Sequence, residues 1–263
     1  MKKIAFIMLS AIIIFSLAAC GSKDIDEIKT ASEKMGALKS YVTQIKSEII
    51  IDPSNTAFEL NAKYVKDGDK ITIEQKESSD NLLGPGKIEA VTYYADGSRY
   101  TLENNNKSKV SVTAEQIQQQ ADGLNLVKDF NPEAIKKQTK SKNSEGNSVY
   151  ELELNAEKMN GLKNFVSSLF AMGESQNYEF KSAKATITIT KDGYISMADF
   201  DTVISSEDVD VTLRLSSKYT GFDQTKIDLP ADLNTYGSNA AATQTPASTS
   251  SPAASASPKS SAR

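Results

Sequence analysis

A period-two alternation of apolar and polar residues, interrupted by Asp-Gly pairs, limits the folds that this chain can adopt. The alternation covers residues 41–52, 56–65, 70–76, 88–95, 98–103, 184–191 and 194–204. Asp67-Gly68, Asp96-Gly97 and Asp192-Gly193 each stand between two such segments. Asp and Gly tolerate the positive φ angles that a two-residue hairpin turn requires. The sequence therefore predicts antiparallel hairpins.

The segment 208–215 shows the same alternation with a clear division between two faces. Its apolar side chains are Val209, Val211, Leu213 and Leu215, and its polar ones are Asp208, Asp210, Thr212 and Arg214. One face of the predicted sheet is therefore expected to be buried and the other to be wet, as in antiparallel sheets.

Helices are predicted at four places. Residues 24–38 carry apolar side chains at helical spacing, and Thr113 followed by Gln116 is typical of a capping box. Pro132–Gln138 starts with a proline at a first-turn position, and Asn155–Ala171 combines a capping Asn with an apolar stripe. Helices and strands in this order predict an α+β fold and argue against alternating βα architectures.

The N-terminus has the organisation of an export signal. Lys2 and Lys3 precede an apolar run from Ile4 to Phe15, which is too short for a stable membrane-spanning helix. Leu17-Ala18-Ala19-Cys20 then resembles the bacterial lipobox, in which the Cys thiol is acylated and becomes the first mature residue. We therefore expect a lipoprotein signal peptide at residues 1–19. We also expect acyl chains such as palmitate on Cys20, and a short tether at residues 20–23.

The C-terminus has the composition of a disordered tail. Of the 27 residues in 237–263, 8 are Ser, 8 are Ala, 3 are Thr and 3 are Pro. Such a segment offers too little apolar surface to offset the entropy lost on ordering. The remaining residues 24–236 amount to one domain.

Composition narrows the possible chemistry. The chain has no histidine and a single cysteine, which excludes a Ser-His-Asp triad, a Cys-His dyad and an intrachain disulfide. Removal of residues 1–19 takes away two lysines and no acid, so the net charge changes from −4 to −6. An acidic exported chain is a poor candidate for binding nucleic acid. We expect no enzymatic activity, no metal and no cofactor.

Carboxylates and aromatic residues are the remaining candidates for a site. Asp199/Asp201 and Asp208/Asp210 lie opposite the apolar residues of their strands, which is typical of a solvated sheet face. The alternative is that these acids form a weak calcium site or the active site of a carboxylate-only hydrolase. The aromatic residues in or beside the predicted strands are interpreted as core, although some could line a cavity: Phe58, Tyr64, Tyr93, Tyr94, Tyr100, Tyr194, Phe200 and Tyr219.

The arrangement resembles the LolA/LppX-like group of bacterial lipoproteins and lipid carriers. The resemblance rests on the lipobox, the helix that follows it, the step Leu38-Lys39-Ser40-Tyr41, the hairpin Lys191-Asp192-Gly193-Tyr194-Ile195 and the closing Ile227-Asp228-Leu229-Pro230. It implies a curved antiparallel half-barrel covered by a few helices, with an apolar cavity that binds or transfers a lipid-like ligand. No individual binding residue follows from it.

Besides the carboxylate-only hydrolase, two functions remain open from the sequence. The first is a membrane-anchored extracytoplasmic lipoprotein that binds a hydrophobic ligand in the half-barrel. The second is a structural or protein-interaction lipoprotein of the cell envelope, with a filled core and no ligand. The tether of four residues spans at most about 14 Å, so the domain sits close to the membrane in either case. The Trp-free composition, rich in Lys, Asn and Ser, favours a Gram-positive source.

Overall fold

The computed structural model describes residues 22–52, 54–80, 87–128, 130–155, 158, 179–206 and 209–238. The helices are α1 (Ser22–Gly36) and α2 (Ala114–Gly123). The first six strands are β1 (Ser40–Ile51), β2 (Ser54–Asp67), β3 (Lys70–Asp80), β4 (Lys87–Ala95), β5 (Ser98–Glu103) and β6 (Asn106–Ser111). The other six are β7 (Ile135–Lys142), β8 (Ser148–Leu154), β9 (Glu179–Ile189), β10 (Ile195–Ser206), β11 (Val209–Thr220) and β12 (Gly237–Ser238).

All the described strands form one open, curved sheet. Their order is β12-β6-β5-β4-β3-β2-β1-β11-β10-β9-β8-β7, and every pairing is antiparallel except the two-residue contact between β12 and β6. The first strand lies in the middle, between β2 and β11. Strands β2–β6 therefore form one half of the sheet and strands β7–β11 form the other, and we call these two halves the wings.

The three predicted Asp-Gly hairpins are confirmed. Asp96 and Gly97 have φ angles of 48° and 70°, Gly68 has 59° and Gly193 has 78°. A fourth hairpin joins β5 to β6 through Asn104 and Asn105, whose φ angles are 49° and 64°. Sequence reasoning missed this turn, although Asn is the residue besides Gly that most readily adopts positive φ.

Two of the predicted helices are confirmed. The first helix runs over Ser22–Gly36 and buries the face that includes Ile28, Ala31 and Met35. At α2, the Thr113 hydroxyl accepts a hydrogen bond from the Gln116 N–H at 3.1 Å, and the Gln116 side chain accepts one from the Thr113 N–H at 2.8 Å. The helix predicted over Asn155–Ala171 lies almost entirely outside the described residues.

The helix predicted over Pro132–Gln138 is wrong. Pro132–Ala134 forms a single 3₁₀ turn, and the chain continues as strand β7 at the edge of the sheet. A segment this short has too few turns to support a helix by itself. Hydrogen bonds to β8 satisfy its backbone groups instead, and Gln138 lies opposite Leu152.

The described residues are therefore mostly β, and the curved antiparallel sheet of the predicted α+β fold is present. In this part of the chain no helix combines the length and the apolar character needed to cross a bilayer. Cys20 and the lipobox residues Leu17, Ala18 and Ala19 lie outside the described residues. Strand β12 places Gly237 and Ser238 in the sheet, two residues into the segment predicted as tail.

Candidate ligand-binding face

The two faces of the sheet differ in chemistry. We call the inner face the one that carries Tyr41, Thr43, Ile45, Ser47 and Ile49 of β1, together with the side chains that lie level with them on neighbouring strands. Most of these side chains belong to a single hydrophobic core, which also contains Ile28 and Met35 of α1 and Ile117 and Ala121 of α2. The outer face carries charged residues at the alternate positions.

The inner face becomes more exposed towards one end. Along β11, Leu213 is completely buried, Val211 is 6% exposed and Val209 is 50% exposed. On the neighbouring strand β1, Ile45 is buried, Ile49 is half-buried and Ile51 is 39% exposed. We call Ile49, Ile51, Val209 and Val211 the apolar mouth. The apolar surface of the inner face therefore reaches solvent at this end of the sheet.

The opposite end of the inner face is closed by tyrosines and helices. The Tyr41 and Tyr64 rings lie 5.0 Å apart between their centroids, and the Tyr94 hydroxyl contacts the Gln120 side chain of α2. The backbone N–H of Leu126 donates a hydrogen bond of 3.1 Å to the buried Tyr219 hydroxyl. Burial raises the pKa of Tyr219 to about 12 and raises the pKa of Tyr41 further. These phenols stay neutral at physiological pH and serve in packing and hydrogen bonding.

A set of buried polar side chains interrupts the apolar inner face. Their side-chain polar atoms are fully buried and make no hydrogen bond within the described part of the chain: Thr43 Oγ1, Ser47 Oγ, Gln75 Nε2, Thr202 Oγ1 and Ser217 Oγ. We call these five residues the polar seam. The Ser217 hydroxyl is close enough to Tyr219 to help keep the pKa of that phenol from rising further.

Charged side chains of β3 and β5 share the inner face with the seam: Glu77, and Arg99 and Glu103, which lie opposite Tyr94 and Ala90. Glu77 lies two residues beyond Gln75 on the same strand and opposite Leu60. Burial raises the pKa of its carboxyl group, as does the nearby Glu103, whereas Arg99 lowers it. Charges of both signs therefore lie on this part of the inner face.

The outer face carries a groove of about 610 Å³ across the middle of the sheet. Its charged side chains pair with one another: Arg214 lies 3.0 Å from Glu48 and 3.8 Å from Asp201, and Lys46 lies 3.9 Å from Glu59. These groups are largely exposed, so each pair contributes little to stability. Ion pairs between solvent-exposed side chains therefore line the groove.

The structure describes three of the four acids that the sequence offers as carboxylate pairs. Asp199 and Asp201 both line the outer groove, where Asp201 faces Arg214. A hydrogen bond of 2.6 Å from Lys181 lowers the pKa of Asp210, and Asp208 lies outside the described residues. Among the residues that the structure describes, no three acids or Cys residues are placed to hold a metal ion.

A second crevice, of about 450 Å³, lies where α1 ends beside α2. Tyr41, Tyr64, Asp122, Asn125 and Lys128 contribute to its walls. The Lys128 ammonium is paired with Asp122 at 2.6 Å, and the Asn125 amide donates to the Met35 carbonyl at 3.3 Å. The crevice is polar and lies at the closed end of the inner face.

The aromatic residues singled out in the sequence divide between the two faces. Tyr64, Tyr94, Phe200 and Tyr219 are buried on the inner face, and Phe58 is half-buried there. Tyr93 and Tyr100 lie opposite each other on the outer side of β4 and β5, where Tyr236 packs against Tyr100. Tyr194 stacks on Phe222 with ring centroids 4.5 Å apart. The aromatic residues considered for a cavity did not include Tyr41 or Tyr150, which belong to the same core.

Comparison with known proteins gives structural similarities only. No family model matches the chain, and no curated protein matches it. Among solved structures, LprF from Mycobacterium bovis is similar at a TM-score of 0.47 and 10% identity, over 81% of this chain and 98% of that one. Lipoprotein LppX from Mycobacterium tuberculosis is similar at a TM-score of 0.43 and 11% identity, over 79% and 99% of the two chains.

A third similar structure is a putative outer membrane lipoprotein-sorting protein domain from Vibrio parahaemolyticus. Its TM-score is 0.28 and its identity 10%, over 79% of this chain and 96% of that one. The structures that the chain resembles thus include LppX and a lipoprotein-sorting domain, the group that the sequence resemblance named.

Proposed function

We propose that this protein is a lipid-anchored extracytoplasmic lipoprotein that binds a hydrophobic, lipid-like ligand on the inner face of its sheet. The observation that carries the proposal is the continuity of apolar surface from the buried Leu213 to the half-exposed Val209. Exposed apolar surface at the rim of a concave face is a common sign of a ligand entrance. The outer groove, by contrast, carries paired charged side chains such as Arg214 and Glu48.

Attachment to the membrane is proposed through Cys20. The lipobox Leu17-Ala18-Ala19-Cys20 supports acylation of the thiol, and two or more acyl chains anchor a protein stably. Because α1 begins at Ser22, the domain starts only two residues after the anchor. An anchored domain is thereby held close to the bilayer. Metabolic labelling with a palmitate analogue should mark the wild-type chain and not Cys20→Ser.

Ligand binding can be tested on the mature-length chain, residues 20–263 with Cys20→Ser, which needs no detergent. After incubation with phospholipid vesicles and removal of the vesicles, native mass spectrometry should detect protein with bound lipid. Val209→Asp and Ile51→Asp place a charge in the apolar mouth and should strongly reduce uptake. A wild-type chain that stays empty would refute the ligand-binding function.

The matched control for these variants is Met197→Asp. Met197 is 37% exposed and lies on the outer side of β10, opposite Lys218. Its exposure is similar to that of Ile51, but it lies on the other face of the sheet. We expect Met197→Asp to take up lipid as the wild type does. Equal loss of uptake in all three variants would assign the effect to general destabilisation.

The second candidate is an interaction lipoprotein whose inner face is filled by its own side chains. The complete burial of Tyr150, Ile187 and Leu213 favours this function. This second function predicts that Val209→Asp and Ile51→Asp have the same lipid content as the wild type. It also predicts that the isolated chain never co-purifies with lipid. The same native mass spectra therefore separate the two candidates.

A further inference from the structure

The polar seam points to the chemistry of the ligand. Thr43, Ser47, Gln75, Thr202 and Ser217 are at most 3% exposed, and each presents an unpaired polar atom on the inner face. A buried hydroxyl without a partner costs about 1–3 kcal/mol. Valine or alanine would fill the same space on an apolar face without that cost. Five such positions on one face indicate partner atoms that the described part of the chain does not supply.

The seam forms a continuous path rather than a scatter of positions. Ser217 of β11 lies opposite Ile45, midway between Thr43 and Ser47 of β1. Diagonal neighbours of this kind lie about 7–8 Å apart. Thr202 continues the path towards the mouth, because it lies opposite Leu213, which in turn lies opposite Ile49. The path therefore runs from the tyrosine-closed end of the inner face to the apolar mouth.

The seam offers donors in mostly apolar surroundings. Each hydroxyl can donate one hydrogen bond, and the Gln75 amide nitrogen can donate two. Most of the residues around them are apolar, and Glu77 and Arg99 share the inner face with Gln75. Burial in these surroundings disfavours an anionic group. Neutral acceptor oxygens, such as those of esters, ethers and hydroxyls, satisfy the donors without that cost.

We infer that the ligand is a neutral lipid bearing oxygen atoms along its length, such as an acylglycerol, and that the polar seam binds those oxygens. This inference rests on the proposed ligand-binding function and adds a selectivity to it. The apolar side chains of the inner face supply the affinity for hydrocarbon. The seam then discriminates between an ester-containing lipid and a plain alkane or a fatty-acid anion of the same length.

The test compares monooleoylglycerol, oleate and octadecane as probes on the mature-length chain with Cys20→Ser. The variant Thr43→Val/Thr202→Val keeps side-chain volume and removes two donors. Two hydrogen bonds of about 1 kcal/mol each correspond to a loss of roughly tenfold or more in affinity. We expect the double variant to show that loss of affinity for monooleoylglycerol and to bind octadecane as the wild type does. In the wild type, we expect oleate to bind more weakly than monooleoylglycerol.

The melting temperature of the ligand-free variant provides an independent measurement. Removing unpaired buried hydroxyls should leave it unchanged or raise it. A lower melting temperature would mean that ordered water or the chain satisfies these hydroxyls, and would overturn the inference. Thr188→Val is the matched control, because Thr188 is 9% exposed and lies on the outer side of β9, opposite Met197.

The outcomes for the seam and for the proposed function are distinguishable. A wild-type chain that binds none of the three probes refutes ligand binding altogether, and the inference falls with it. A wild-type chain that binds all three, with the same ratios in the double variant, refutes only the role of the seam. Ser47→Ala/Ser217→Ala repeats the comparison at two other positions if the threonine variant does not fold.

Discussion

The Glu27 carboxylate of α1 accepts a hydrogen bond of 2.6 Å from the Tyr150 hydroxyl of β8, although the two residues are 123 positions apart in the chain. The same carboxylate oxygen accepts a hydrogen bond of 2.7 Å from the Lys140 ammonium of the edge strand β7. One side chain thereby ties the first helix to the outermost two strands of one wing. The helix next to the predicted anchor is thus fixed to the sheet by polar contacts as well as by its buried apolar face.

The first prediction concerns this contact. Tyr150→Phe removes the hydroxyl from a fully buried ring and should lower the free energy of unfolding by about 1 kcal/mol. Urea unfolding followed by circular dichroism measures the change. Glu33→Gln is the control, because Glu33 lies on the same helix with its side chain 67% exposed, and should change little.

The pH dependence of Glu27 has a definite sign. Burial pushes the pKa of its carboxyl group up, but hydrogen bonds from Lys140, Tyr150 and Ser148 outweigh that effect and lower it below 4.5. A carboxyl group with a lowered pKa in the folded state stabilises the protein above its unfolded pKa and loses this contribution as pH falls through the folded value. The destabilisation by Glu27→Gln should therefore be full at pH 7 and shrink towards pH 3. A constant difference across this range would contradict the assignment.

The second prediction concerns the turn after β11. Gly221 has a φ angle of 65°, and a Cβ atom there would lie 2.6 Å from the Thr225 hydroxyl oxygen and 3.4 Å from the Val42 side chain. Gly68→Ala, at a φ angle of 59° with nothing within 4 Å, should carry only the backbone cost of about 1–2 kcal/mol. Gly221→Ala should cost more than Gly68→Ala, because the clash adds to the strained backbone. Equal melting temperatures for the two variants would show that the clash is relieved at no cost.

The third prediction concerns the end of the domain. Tyr236 is 6% exposed and packs edge-on against Tyr100, with ring centroids 5.8 Å apart. Tyr236→Ala opens a cavity over β5 and should cost about 2–4 kcal/mol, seen as a lower melting temperature. The nearby ion pair between Lys107 and Asp232 is well exposed, so Asp232→Asn should have a much smaller effect. A larger loss in Asp232→Asn would mean that charge rather than packing holds this segment.

Local chemistry was sufficient to predict much of the secondary structure. Asp96-Gly97 and the Thr113/Gln116 capping box act within a few residues, so their geometry follows from the residues themselves. The same reasoning failed at Ile135–Lys142, because hydrogen bonds to β8 and the position at the sheet edge decided the conformation. It also missed the Asn104-Asn105 turn, whose flanking strand β6 has almost no apolar alternation.

The candidate site was only partly visible in the sequence. The alternation predicts that Thr43, Ile45 and Ser47 share one face, and the structure places them on the inner face. Burial of the two hydroxyls without a partner depends on residues of β10, β11 and the helices, which lie far away in the chain. The gradient of exposure from Leu213 to Val209 likewise depends on what packs over each position.

Residues close together in the chain control the hairpin turns, the helix cap and the two-faced strands, and they also form the lipobox that predicts acylation of Cys20. The tertiary fold settles how these parts meet. Pairing of β1 with β11 joins the two wings, and Glu27 reaches Tyr150 across the core. It also decided which polar side chains are buried on the inner face. Each of these depends on the free energy of contacts between distant segments, to which local propensity contributes almost nothing.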